Sequence, residues 1–378
     1  MSMTDEGVSG GRFAPHLLHI LPSFAPGGAQ VRVIQLMNYF GQRFRHSIVA
    51  LDGIHTALER VRKDVLTQTI ICAKTSNPLL MTCRFRKLLR VSNPDVVLTY
   101  NWGAIDGVLA ARSLNIPVIH TEDGFGAEEA SGQKLRRVLY RRAVLRTASH
   151  VIAPSEVLHE IMLKRWRLPP RIVHHIPNGV DLNLFRPVDR RTSGAQLVFG
   201  VIAHLRPEKR IALLLEIFAQ LPANLPLRLR IAGDGSERGS LEHQAAALGI
   251  GAKVDFLGHQ DDLPAFYQSL DIVVLTSSTE QMPLCVLEAM ACGLPVVSTD
   301  VGDVRNMVSA ANKPFVIPTG GLAQALLVLA RDAMLRKILG RDNRCRCAKM
   351  YALEVMFRRY SELYSDVGAL REERRGNH

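Results

Sequence analysis

Apolar residues fall in short runs along this chain, with polar or helically spaced segments between them. His16–Leu21 is such a run. Pro-Gly-Gly punctuation follows, and from Ala29 to Phe40 the apolar positions recur at helical spacing. Ser47–Leu51, Val96–Tyr100, Val118–Thr121 and Val151–Ala153 predict further strands, each with Pro, Gly, Asn or Asp near a boundary and a helical stretch between. Strands that alternate with helices imply a parallel sheet covered on both faces. The pattern stops at Ile176–Pro187, IPNGVDLNLFRP, which has no clean period, and Asp189–Ala195 is polar. It then restarts with strands expected at Leu197–Ala203, Leu227–Ala232, Val254–Leu257, Ile272–Thr276, Val296–Thr299 and Phe315–Ile317.

The expectation is an α/β protein of two doubly wound, Rossmann-like domains, 15–188 and 189–350, joined by that aperiodic linker. A helical segment, 351–368, is expected to pack across both, with 1–14 and 369–378 as tails. Sheets of this kind bind ligands beyond the carboxyl ends of their strands, and two placed face to face make a cleft.

Composition narrows the partners. The 378 residues are 47% hydrophobic and 22% charged, which excludes a disordered chain. Lys and Arg number 47 against 35 Asp and Glu, a net charge of +12 with a pI near 9.7, so an anionic partner is expected. Lys134 to Arg146 carries Lys134, Arg136, Arg137, Arg141, Arg142 and Arg146 and no acid. At 100° per residue Lys134, Arg137 and Arg141 share a face, a candidate patch for anionic membrane headgroups. Arg84, Arg86, Lys87 and Arg90 form a second basic cluster. Each cluster holds a single aromatic, Tyr140 and Phe85, rather than an interleaved series, and neither carries a reader motif, so nucleic acid is not expected. No apolar run approaches the ~18 residues of a membrane span. Met1–Arg12 is polar, with Asp5 and Glu6, and does not read as a signal peptide. The six cysteines make no disulfide framework and read as buried reduced thiols of a cytoplasmic protein.

Candidate chemistry gathers at strand ends. Gly27-Gly28 follows the first strand and opens the first helix, where a backbone could approach an anion, or simply turn. Gly233-Asp234-Gly235 follows Leu227–Ala232. Pro207 suits a first helical position, so Arg206, Lys209 and Arg210 would lie at a helix N-terminus as a diphosphate clamp or as a solvated basic turn. Thr279 to Met290 holds two carboxylates. Glu280 precedes a helix opened by Pro283 and closed by Gly293, and Glu288 lies in that helix among apolar neighbours. A carboxylate so placed needs donors, and paired sugar hydroxyls or nearby backbone would serve. His120, Glu122 and Asp123 cluster at the end of Val118–Thr121, where they would form a site facing a cleft or His120 would be a structural residue. No D-x-D and no His/Cys set has metal-ligand spacing.

The segments PSFAPGGAQ, IPNGVDLNLFRP, LRPEK, IAGDG, VDFLG, EQMPLCVLEAMACGLPVVSTDVGDV and MFRRYSELY, in that order, resemble the retaining GT-B glycosyltransferases of glycosyltransferase family 4. EQMPL resembles the bacterial members that build exopolysaccharide, capsule or lipopolysaccharide. The resemblance implies that Glu288 holds the nucleotide ribose, that Glu280 lies by the donor sugar and phosphate, and that Lys209 neutralises the leaving diphosphate. The family pairs this Lys with an Arg five residues earlier. This chain has His204 there, and Arg206 is the substitute cation. Leu257 and Gly258 take the base-contacting position, with Gly27, Gly28, Gly233, Met282, Pro283 and Leu284 lining the donor. Where the family has H-T-x-H-G this chain has H-T-E-D-G, so His120 is the expected sugar contact and Asp123 the alternate.

The implied activity moves a sugar from a nucleotide donor, UDP or GDP type, to a glycan or polyprenyl-linked acceptor, with no metal or other cofactor. The implied location is the cytoplasm or the inner face of the cytoplasmic membrane. A sugar-nucleotide epimerase, a glycan phosphorylase and a non-catalytic nucleotide-sugar-binding module are the competing readings.

Overall fold

In a computed structural model, residues 14–125, 129, 132–188 and 196–376 are described. The expected linker 189–195 and most of the expected N-terminal tail lie outside them. The first sheet has seven strands: β1 (His16–Leu21), β2 (Arg45–Ala50), β3 (Thr67–Thr69), β4 (Val96–Tyr100), β5 (Val118–Thr121), β6 (His150–Ala153) and β7 (Val173–His175). Their order is β3-β2-β1-β4-β5-β6-β7. Between them run α1 (Gly28–Phe40), α2 (Pro78–Ser92), α3 (Asp106–Arg112), α4 (Leu135–Leu145) and α5 (Glu156–Glu160).

The second sheet has six strands: β8 (Leu197–Ile202), β9 (Leu227–Ala232), β10 (Val254–Gly258), β11 (Ile272–Leu275), β12 (Val296–Thr299) and β13 (Val316–Ile317), in the order β10-β9-β8-β11-β12-β13. Its helices are α6 (Ile211–Ala219), α7 (Arg238–Ala247), α8 (Leu263–Gln268), α9 (Leu284–Ala291), α10 (Val304–Met307), α11 (Leu322–Arg331) and α12 (Ala333–Met350). α13 (Leu353–Gly376) follows. It continues through the segment expected as a C-terminal tail, because Leu-Arg-Glu-Glu-Arg-Arg is a run of good helix formers.

The pairings described are parallel. β8 and β9 run in register from Leu197 opposite Leu227 to Ile202 opposite Ala232. Sheets covered on both faces need strands without polar alternation, and β1, β4, β11 and β12 are buried at every position. The sheet made by β8–β13 carries one apolar cluster on each face. Phe199, Leu214, Leu229 and Leu326 belong to one, and Val273, Val286, Leu287 and Met290 to the other. Burying each such side chain contributes roughly 1.5–3 kcal/mol.

Contacts divide the chain into two compact units. One takes the residues up to Thr121 with Thr147–His150 and the end of the chain from Val367; the other takes Glu122–Arg146 and Val151–Asp366. The core of the first unit holds a polar chain: His19 Nε2 is 3.0 Å from His46 Nδ1, and His19 Nδ1 is 3.1 Å from the Tyr100 hydroxyl. Burial, with His16 nearby, pushes His46 down to about 4, which keeps this ring neutral at neutral pH.

Candidate active site

Lys209 and Glu280, 71 residues apart, form one ion pair. Lys209 Nζ donates to Glu280 Oε1 at 2.6 Å, and Ser277 Oγ donates to the same oxygen at 2.8 Å. Burial alone would lower the Lys209 ammonium; the Glu280 carboxylate outweighs it and holds the group above its ordinary value. Pro207 opens a 3₁₀ turn, Pro207–Lys209, rather than the helix expected there. α6 begins only at Ile211, after Arg210 takes a left-handed φ of 52°. The turn is fastened to the end of β11. Thr276 Oγ1 donates to the carbonyls of Lys209 and Arg210, both at 3.1 Å, and the Ser278 N–H donates to Glu208 O at 2.8 Å.

Around the pair lies a cavity of about 470 Å³ whose lining includes Asp123, His204, Arg206, Lys209, Glu280 and Gln281. Both candidates for the second cation position, His204 and Arg206, are on it. Burial first, then Arg206, Lys209 and His259, lower the His204 imidazole, which favours its neutral form. Arg206 is the exposed cation beside Lys209. Gly124, also on the wall, has φ +145°, and a Cβ there would lie 2.6 Å from Gln281 Cγ. This glycine lets the loop after β5 close against Gln281, and its signal in the sequence was the final G of H-T-E-D-G.

His120 is placed differently from the sequence expectation of a group facing a cleft. It is fully buried in the first unit, directly opposite Thr99 on β4, with Nδ1 2.9 Å from Thr99 Oγ1. Of the two residues weighed for the sugar contact, Asp123 lines the cavity.

α9 supplies the second carboxylate. Pro283 is its N-cap and Gly293, at φ +71°, follows its end. Glu288 is half-buried; its Oε2 accepts from the Tyr267 hydroxyl at 2.7 Å. Burial pushes the carboxyl up to about 7 although the tyrosine bond opposes the shift. A group at that balance is readily ionised by further donors. Tyr267, fully buried on α8, carried no signal in the sequence. Met282 and Pro283 are buried, and Leu284 is partly so. Asn178, of IPNGVD, donates from Nδ2 to Met282 O at 3.2 Å and from its backbone N–H to Met282 Sδ at 3.2 Å, which fixes the loop before α9.

Gly233 and Gly258 meet at the carboxyl ends of β9 and β10, with the Gly233 N–H donating to Gly258 O at 2.7 Å. A Cβ on Gly233, at φ +122°, would lie 1.9 Å from Ala203 O, so no other residue fits. Leu257 is exposed beside them. Gly27 is the N-cap of α1 with extended backbone, and Gly28 is the first residue of that helix, in the first unit.

Two further expectations are corrected. Arg141 is fully buried and Arg137 pairs with Glu129 at 3.2 Å, so Lys134, Arg137 and Arg141 do not form a solvent-facing patch. The countercharges come from outside α4, which helical phasing cannot register. Of the six cysteines, Cys83 and Cys345 are exposed rather than buried; all six are free. Among the described residues no group of three or more His, Cys, Asp or Glu could hold a metal, and no helix is long and apolar enough to cross a membrane.

Two doubly wound parallel sheets, the second with an ion-paired lysine and glutamate beyond its strand ends, define a GT-B fold. The chain overlays on Anabaena Alr3699/HepE in complex with UDP and glucose with a TM-score of 0.79 at 20% identity, covering 93% of this chain and all of that one. A sucrose-phosphate synthase from Thermosynechococcus elongatus gives 0.77 at 21% identity, over 94% and 99%. The family description "Glycosyltransferase Family 4" matches residues 26–184, and "Glycosyl transferases group 1" matches 187–346. The chain belongs to glycosyltransferase family 4.

Among its relatives, a D-inositol 3-phosphate glycosyltransferase of Geodermatophilus obscurus is 30% identical over 64% of this chain and 60% of its own length. The Escherichia coli UDP-Gal:alpha-D-GlcNAc-diphosphoundecaprenol alpha-1,3-galactosyltransferase is 26% identical over 74% and 78%. The chain spans less than two thirds of the length of the first curated relatives it matches: 62%, 60% and 46%.

Proposed function

We propose that this protein is a retaining glycosyltransferase that moves a sugar from a UDP-sugar to a lipid-linked glycan acceptor in cell-surface polysaccharide synthesis. The observation that carries the reading is the cavity that joins Lys209, Glu280, Arg206 and Asp123. The nucleotide type draws on the UDP of the Alr3699/HepE complex, and the acceptor class on the diphosphoundecaprenol of the E. coli relative.

In this reading Glu288 accepts from the ribose hydroxyls, and Asp123 and Glu280 orient the donor sugar. Lys209, with Arg206, neutralises the diphosphate as the bond from C1 to the phosphate oxygen breaks. The acceptor oxygen bonds C1 on the same face, and its proton passes to the departing phosphate oxygen. This reading assigns neutralisation of the departing diphosphate to Lys209 and Arg206, so turnover is expected to persist in EDTA.

The membrane contact belongs to α2 in this reading. From 65 to 94 the sequence has no acid and carries Lys74, Arg84, Arg86, Lys87 and Arg90. Ile71, Leu79 and Val91 stand 92%, 80% and 83% exposed among these charges, a combination suited to an anionic bilayer surface at the cytoplasmic face of the membrane.

The test incubates the protein with labelled UDP-hexoses and a lipid extract. Transfer of label into the lipid fraction, with α-linked product from α-linked donor, is expected. Lys209→Ala should lower kcat about 100-fold or more. Donor binding without transfer, or a β-linked product, would contradict the assignment.

A further inference from the structure

The cavity wall made by Asp123, Gly124 and Phe125 has no regular secondary structure of its own. Such a wall holds its shape only if side chains fix it. A single guanidinium reaches both ends of it. Arg141, on α4, is fully buried, with its Cζ 5.2 Å from the centre of the Phe125 ring and 5.1 Å from that of Trp166. Its Nη1 and Nη2 donate to Glu129 Oε1 and Oε2 at 3.2 and 2.9 Å, and its Nε lies 3.4 Å from Glu122 Oε2.

Arg141 therefore grips the residue just before Asp123 and the residue two after it. The grip is itself anchored. Trp166 Nε1 donates to Gln133 Oε1 at 2.8 Å, and Arg142 Nε donates to Trp166 O at 3.1 Å. Glu129 also accepts from Arg137 Nη1 at 3.2 Å and from the Lys134 N–H at 3.1 Å. The two rings meet edge to face, their centres 6.3 Å apart, and a planar, always charged fork packed against both is a role that lysine cannot fill.

We infer that Arg141 is the positioning residue of the sugar-facing wall: packed against the edge-to-face pair of Phe125 and Trp166 and paired with Glu122 and Glu129, it fixes where Asp123 meets the donor sugar. The sugar role of Asp123 rests on the function proposed above; the clamp does not. A misplacement of about 1 Å at a reacting centre costs on the order of 100-fold in rate.

Hydrogen exchange on the full chain tests the clamp without any substrate. In Arg141→Lys, amides of 122–125 should exchange about tenfold faster or more, while those of α9 keep their wild-type protection. Unchanged exchange at 122–125 in a folded Arg141→Lys protein would overturn the inference. Should that variant not fold, Trp166→Leu removes one ring and leaves both carboxylates paired, with the same expectation and the same overturning result.

The functional arm is a double-mutant cycle with UDP-hexose as the donor. Arg141→Lys should lower kcat about 100-fold with a smaller change in KM, and Asp123→Asn should add little in that background. Fully additive effects would overturn the positioning role. Faster loop exchange together with full activity of Asp123→Asn alone would leave the clamp standing and refute the sugar contact.

Discussion

α2 and α4 read alike as sequence and end as opposites. Both are rich in Arg, free of acid and interspersed with Leu and Val. α4 turns one arginine inward, where two glutamates from the preceding loop and two aromatic rings enclose it. α2 keeps Lys87 and Arg90 in solvent, beside exposed Leu79 and Val91. The difference does not lie in the helices. It lies in whether the fold brings countercharges from elsewhere, as Glu122 and Glu129 come to α4. A cation that is buried with partners becomes structural; one left in solvent remains available to an anionic surface.

The two helices should therefore bear unequal costs. Removing the buried charge has the largest effect: Arg141→Met leaves Glu122 and Glu129 without their shared guanidinium and should cost about 3–5 kcal/mol, read by denaturant unfolding. A loss below about 1 kcal/mol would mean that the pair network is not a structural centre. The triple variant with Lys74, Lys87 and Arg90 changed to Gln should lose roughly 100-fold in binding to phosphatidylglycerol vesicles, at about 1 kcal/mol per charge. Wild-type affinity in that variant, or equal binding to neutral phosphatidylcholine vesicles, would break the contrast. The smallest effect is on folding: the same three changes should alter stability by no more than about 0.5 kcal/mol.

The same contrast explains what was legible in the sequence. β1, β4, β5 and β12 have the bounds expected from their apolar runs, because strands covered on both faces leave a nearly continuous apolar record. β3, Thr-Gln-Thr, is an exposed edge strand and leaves none. Lys209, Glu280 and Glu288 stood out individually, by position at strand ends and by the cost of an apolar-flanked carboxylate. Their partners did not. The Lys209–Glu280 pair joins residues 71 apart that meet because β8 and β11 are neighbours in the sheet, and the Tyr267–Glu288 bond joins the two helices that flank β11. His120 shows the other limit: a place at a strand end gives depth along the sheet, not the direction of the side chain. Opposite Thr99 on the neighbouring strand, it is enclosed, while Asp123, three residues on and past the strand, lines the cavity.

If α9 and the Lys209 turn form a nucleotide-sugar site, the folded protein should be stabilised by its donor. That is read most directly as thermal stability of the wild type and of Glu288→Ala with UDP-, GDP-, ADP- and dTDP-sugars. UDP-sugars at about 100 times their dissociation constant should stabilise the wild type by about 2.7 kcal/mol, and the variant should lose this response. The free Glu288 carboxyl sits at about 7 and its ionised form accepts the ribose hydroxyls, so the stabilisation should be larger at pH 8 than at pH 6. No stabilisation of the folded wild type by any of the four donor classes, or an undiminished UDP-sugar response in Glu288→Ala, would contradict the assignment of this site.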